Sequence, residues 1–122
     1  MPTDAARMAF RLEFAADAEL DFGLTFDHLL RSYLDFGESL ESALDHAEAR
    51  IIEIRAAAER ILTAPCRGER HDDILPGLRH LAIGRAIYWF DICESRKTVH
   101  VLAVFFGGQD HVRHMMARLL QD

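Results

Sequence analysis

From Asp17 to Leu62 apolar side chains recur every three or four residues, and the pattern breaks once, at Gly37-Glu38-Ser39. Two amphipathic helices joined by two or three residues must fold back on each other, so this spacing calls for an antiparallel helical hairpin. In the first helix Phe22, Phe26, Leu29, Tyr33 and Phe36 form the stripe and Leu30 and Leu34 widen it. The aromatic members are expected in the core. Gly23 weakens the first turns by about 1 kcal/mol relative to alanine, and Gly37 suits the stop. Ser39 is a natural N-cap, with Glu41 placed to meet the helix dipole. Leu40, Ala43, Leu44, Ala47, Ile51, Ile54, Ala58, Ile61 and Leu62 then carry the second helix to Pro65.

On either side of the hairpin the period changes to two. Met8 to Phe14 alternates and reads as a half-buried strand. Pro65, Gly68, Pro76 and Gly77 mark a surface loop, after which strands are expected over Leu78–Ile83, Ala86–Cys93 and Thr98–Phe106. Gly84-Arg85 fits a two-residue type II′ turn, and Glu94 to Lys97 a polar one. In the second of these strands Tyr88, Phe90 and Ile92 oppose Ile87 and Trp89. A strand apolar on both faces is covered on both, which puts it and its successor in the middle of the sheet. Gly107-Gly108 ends the last strand, and Asp110 can cap a final helix with Val112, Met115, Met116, Leu119 and Leu120 at helical spacing. The order β-α-α-β-β-β-α describes one α+β domain over residues 1–122, a helical hairpin on a small antiparallel sheet with a C-terminal helix. Residues 1–7 are expected to be a flexible N-terminus.

The 122 residues are 50% hydrophobic and 28% charged, which excludes the disordered and low-complexity classes. No apolar run approaches the roughly 20 residues of a membrane span. Met1 to Phe10 carries Asp4 and lacks the apolar core of a secretory signal, so the cytoplasm is the expected location. Cys66 and Cys93 form no framework and read as reduced thiols. Residues 1–64 hold 6 basic and 13 acidic side chains, whereas residues 65–122 hold 8 and 7 plus five of the seven histidines. Lys97 is the only lysine. None of this makes a broad phosphate-neutralising surface, so direct nucleic-acid specificity is not expected.

No phosphate loop, nucleophile elbow, dinucleotide fingerprint or His-Glu-x-x-His motif is present, and no cofactor is expected. His111 and His114 begin the last helix, but two ligands from one helix are not a metal site, and a third would have to come from His100. They are expected to face solvent, with no metal. Arg79, His80, Arg85, His100, Arg113 and His114 admit two readings. One is a patch at one end of the sheet that meets phosphate or an acidic protein surface; the other is scattered charge that discourages edge pairing. The three helices offer more apolar surface than a small sheet covers, and Met115-Met116 is an adaptable pair. The core is therefore expected to be completed by another polypeptide.

Leu75-Pro76-Gly77-Leu78-Arg79, then Leu81-Ala82-Ile83-Gly84-Arg85, then Ile87-Tyr88-Trp89-Phe90 follow one another in the chain, and Phe105-Phe106-Gly107-Gly108-Gln109-Asp110 comes after them. In order and spacing they resemble the ParE branch of the ParE/RelE toxin family of bacterial type II toxin–antitoxin modules, a resemblance that covers residues 8–122. It implies a non-enzymatic toxin that binds DNA gyrase and is neutralised, in a hetero-oligomer, by a ParD-like antitoxin whose disordered tail folds across an apolar groove. Arg79, Arg85, Arg113, His114, Met115 and Arg118 are the expected target-binding residues, and Leu29, Leu30, Tyr33, Trp89 and Phe105 the expected antitoxin-binding residues. Phe106 stands where the family usually has histidine. The messenger-RNA-cleaving RelE branch is the alternative. It is disfavoured because Arg79 and Arg85 can stabilise charge without moving a proton near neutral pH, so Tyr88 or a histidine would have to serve.

Overall fold

The structure, a computed structural model, describes residues 10–107 and 110–121; the expected flexible segment 1–7 lies outside them. A short strand β1 (Arg11–Phe14) leads into helix α1 (Ala16–Asp35) and helix α2 (Leu40–Ala57). Two 3-10 helices, Ala58–Thr63 and Pro65–Arg67, precede strands β2 (Glu69–Arg70), β3 (Arg79–Ile83), β4 (Ala86–Cys93) and β5 (Thr98–Phe106), and helix α3 (His111–Gln121) closes the described chain.

The helical hairpin forms as its spacing requires. After Phe36, Gly37 takes φ +98°, and the N–H groups of Gly37 and Glu38 return to the carbonyls of Leu34 and Tyr33. That closes α1 with a Schellman turn, which a residue bearing Cβ would strain. Ser39 then caps α2, its hydroxyl accepting the Ser42 N–H at 3.1 Å. Ion pairing of Glu19 with Arg55 at one end and stacking of Tyr33 on His46 at the other fix the antiparallel register. Ala43 and Ala47, both fully buried, let the two helices approach closely. The second helix tightens to 3-10 geometry after Ala57 rather than remaining α-helical to Pro65. Phe36, expected in the core, is 87% exposed because the chain has already left the helix there.

The strands form one sheet in the order β1-β5-β4-β3-β2. β3, β4 and β5 are the expected antiparallel meander, with β4 and β5 interior, and Gly84 at φ +60° turns β3 into β4. The sheet is mixed rather than wholly antiparallel, since β1 runs parallel to β5 with Arg11 opposite Thr98. Residues 69–70, expected within a loop, add a two-residue edge strand against β3. Alternation reports which face of a strand is buried but not its direction, and a strand of two residues has no period to read.

Each face of the sheet carries its own core. Phe22, Ile54, Ala58 and Ile61 from the hairpin pack on Tyr88, Phe90, Val99 and Val101. On the other face Met115 packs with Leu78, Trp89 and Ala103. Phe90 pairs with Val101 and Trp89 with Ala103, so Leu102 is an extra residue in β5. This bulge shifts the phase of β5 so that Val101 and Ala103 each face the proper core.

Candidate partner-binding surface

β1 ends opposite Val101, and beyond that point the Val104 N–H has no strand partner. Asp21, buried on α1, supplies one. Its Oδ2 accepts the Val104 N–H at 2.9 Å, and both carboxylate oxygens accept N–H groups from Arg118 of α3, at 2.9 and 2.7 Å. The Arg118 guanidinium also lies over the Phe105 ring at 5.3 Å. One carboxylate thereby fixes α1, β5 and α3 to one another. Above it opens a cleft of about 330 Å³, walled by Leu24, Thr25, His28, Phe105, Phe106 and His114.

The outer surfaces of the same two helices are apolar. Leu20 and Leu24 project from α1 one turn apart, and Val112, Met116 and Leu120 from α3 at successive turns. Leu120 is 86% exposed. The stripe read from the sequence is therefore split: Met115 and Leu119 turn into the core while Val112, Met116 and Leu120 face out. Covering such surface is worth roughly 25 cal/mol per Å².

The expected target-binding residues are only partly gathered. Arg85 is exposed and lies over the Phe106 ring at 5.2 Å, with Arg50 over the same ring at 5.8 Å. Both line a cleft of about 270 Å³ together with Arg60 and Tyr88. Phe106 also walls the cleft that His114 and Arg118 line, so it stands between the two groups. Arg50 and Arg60 carry no signal of this in the sequence, because an arginine on a helix reads as an ordinary solvated side chain. Arg79 is half-buried, its Nη1 donating to the carbonyls of Cys66 and Gly68 at 3.2 Å each. Arg113 and His114 are exposed on α3.

Three of the expected contact residues are corrected by burial. Met115, Trp89 and Leu29 all lie in the interior and present no surface to a partner, because each is the inward member of its stripe. Leu30, Tyr33 and Phe105 remain partly accessible. The Tyr88 hydroxyl is also interior, donating to the Ile54 carbonyl at 2.6 Å, and burial pushes its pKa up to about 12 against the pull of Arg50 and Arg60. Cys66 and Cys93 are free thiols, as expected.

The histidines gather differently from the expected set. His111 does not face solvent with His114; its ring stands edge-on to His80 at 4.6 Å and tilted against Trp89 at 5.5 Å. His71 joins from the segment after β2, its Nε2 2.7 Å from His80 Nδ1, and Glu69 Oε2 lies 3.5 Å from His71 Nε2. Burial, reinforced by the neighbouring imidazoles, holds His80 and His111 below the usual histidine range. His71 lies in the segment that reads from the sequence as a surface loop, and no spacing rule pairs it with His80.

No protein-family model matches the chain, and no curated protein matches it. Among solved structures it is similar to a chain of the chromosomal ParDE TA system from P. aeruginosa. The two share 16% identity with a TM-score of 0.60, over 83% of this chain and 99% of that one. The likeness shows the fold, the α+β arrangement of a helical hairpin and C-terminal helix about a small sheet. No helix among the described residues is long and apolar enough to cross a membrane.

Proposed function

We propose that this chain is the toxin of a type II toxin–antitoxin module, held inactive by a ParD-like antitoxin that lies over α1 and α3, and that it acts by binding DNA gyrase. The reading rests on the unfinished apolar surface of those helices, Leu20 and Leu24 with Val112, Met116 and Leu120, in a fold shared with a member of a ParDE system. An antitoxin segment laying apolar residues on that surface would complete the core in a hetero-oligomer.

Binding is favoured over RNA cleavage by the fate of the candidate catalytic groups. The Arg79 guanidinium is occupied by two loop carbonyls, and the Tyr88 hydroxyl is buried and engaged with Ile54. The buried phenol is withdrawn from any substrate, and arginine alone is a poor proton carrier. Arg85 and Arg60, beside the Arg50–Glu53 ion pair, line an accessible cleft of net positive charge for an acidic protein partner.

The test is induction of the chain without a partner, with gyrase supercoiling and bulk RNA integrity followed in parallel. Growth arrest with lost supercoiling and intact RNA, relieved by a co-expressed antitoxin, supports the proposal. Normal supercoiling with degraded RNA overturns it in favour of a ribosome-dependent nuclease.

A further inference from the structure

We propose that Glu69, His71 and His80 form a binding site for a divalent transition-metal ion of the zinc type. The backbone brings the three together. Glu69 and His71 are two residues apart in an extended segment and so project to the same side. Glu69 is also the cross-strand neighbour of His80. One ligand atom from each lies within 4.8 Å of the others. Donors held tetrahedrally at about 2.0–2.1 Å from one ion sit roughly 3.3 Å apart. The His71–His80 separation of 2.7 Å and the Glu69–His71 separation of 3.5 Å bracket that spacing, and rotation of the mostly exposed Glu69 side chain can bring its carboxylate to the same point.

The donor chemistry is equally selective. Two imidazole nitrogens and one carboxylate suit zinc and its neighbours rather than calcium or magnesium, which take oxygen ligands. Two buried side-chain nitrogens lack a hydrogen-bond partner among the described residues, Trp89 Nε1 and His111 Nδ1. Both side chains belong to this cluster, the Trp89 ring lying 4.7 Å from His71 and 4.9 Å from His80. Three protein ligands leave a coordination position for water. A water there is the kind of group that accepts from an indole N–H and donates to an imidazole nitrogen. The ion would clip the 72–78 loop shut between β2 and β3. It is unrelated to the partner-binding surface, so the two readings stand or fall separately.

The full chain, freed of metal, is titrated with zinc against a chromophoric chelator and with cobalt(II) as a spectroscopic stand-in. The expected result is one ion per chain, a melting temperature that rises by several degrees with excess zinc, and cobalt bands without thiolate charge transfer. His71→Gln and His80→Gln should each weaken zinc binding by more than about 100-fold, beyond the loss typical of outer-shell partners. Glu69→Gln alters a mostly exposed side chain, so its fold is retained, and it should weaken binding at least about tenfold. Absence of saturable binding at one equivalent overturns the site. So does binding unchanged in Glu69→Gln and His71→Gln, or a thiolate band that places the ion on Cys66 or Cys93.

Discussion

Arg118 and Asp21 stand 97 residues apart in the chain and meet in a two-pronged ion pair at 2.9 and 2.7 Å. The same carboxylate satisfies a β5 amide that β1 is too short to reach. The contact therefore stitches the helical hairpin to the C-terminal helix through the sheet and sets the width of the cleft between α1 and α3.

Replacing Arg118 leaves the Asp21 carboxylate buried without its guanidinium, and replacing Asp21 removes both prongs of the pair; breaking a buried pair in this way costs about 3–5 kcal/mol. Asp21→Ala additionally strands the Val104 N–H. Urea denaturation should show both single variants strongly destabilised, and Asp21→Ala/Arg118→Ala less destabilised than the sum of the two. Additivity within about 0.5 kcal/mol would show that the two side chains do not act together.

Glycine-to-alanine changes at two positions should have opposite signs. At Gly68 an added Cβ would come within 2.9 Å of Phe90 Cζ and 3.0 Å of the His80 carbonyl oxygen, and overpacking of this kind costs about 1–3 kcal/mol. At Gly23, within α1, nothing lies within 4 Å, so alanine should stabilise by about 0.5–1 kcal/mol through helix propensity. Thermal melts of the two variants provide the measurement; a stabilised Gly68→Ala would show that the backbone before β2 does not seat against Phe90 and β3 as described.

Tyr88 should make the fold sensitive to alkali. Its pKa is raised to about 12, whereas an unfolded tyrosine ionises near 10. From about pH 10 upward the unfolded state releases a proton that the folded state keeps, so stability falls as pH rises towards 12. Tyr88→Phe should flatten that decline and cost about 0.5–1.5 kcal/mol at neutral pH, for the lost bond to Ile54. A phenol that titrates near pH 10 in the folded protein, identified as the absorbance change missing from Tyr88→Phe, would contradict the burial.

The apolar rim separates binding from folding. Leu24→Glu, Met116→Glu and Leu120→Glu change exposed positions and should alter stability by no more than about 0.5 kcal/mol. Each should nevertheless weaken capture of a cognate antitoxin by at least about tenfold, the scale of a central interface contact. Calorimetric titration with that antitoxin reads both the affinity and the heat-capacity change of apolar burial. Unchanged affinity in all three variants would move the partner to another face.

Much of the architecture was legible because it rests on local rules. The break at Gly37 and Ser39 sets the hairpin, the alternation of Ile87 to Ile92 assigns both faces of β4, and Gly84-Arg85 fixes its register with β3. The direction of β1 was not legible, because Phe10, Leu12 and Phe14 pattern identically beside a parallel or an antiparallel neighbour. Nor were the inward and outward halves of α3 separable, since Met115 and Met116 are chemically alike and only the neighbouring Trp89 distinguishes them. The patch proved harder still. Charged side chains have no periodic signature, so neither the tying-down of Arg79 nor the arrival of Arg50 beside Phe106 could be read before the chain was folded.

The pairing of β1 with β5 sets an order of events during synthesis. Arg11 finds its partner only when Thr98 has been made, and the Val104 amide that Asp21 engages comes later still. Until then the hairpin has no sheet to settle on and β1 no neighbour. Contacts this distant in sequence slow folding, because loop-closure entropy must be overcome before they reward it. A nascent chain of this kind emerges from the ribosome unable to assemble its second layer until β5 has been made. Any binding partner that recognises the finished surface meets it only after β5 and α3 have been made.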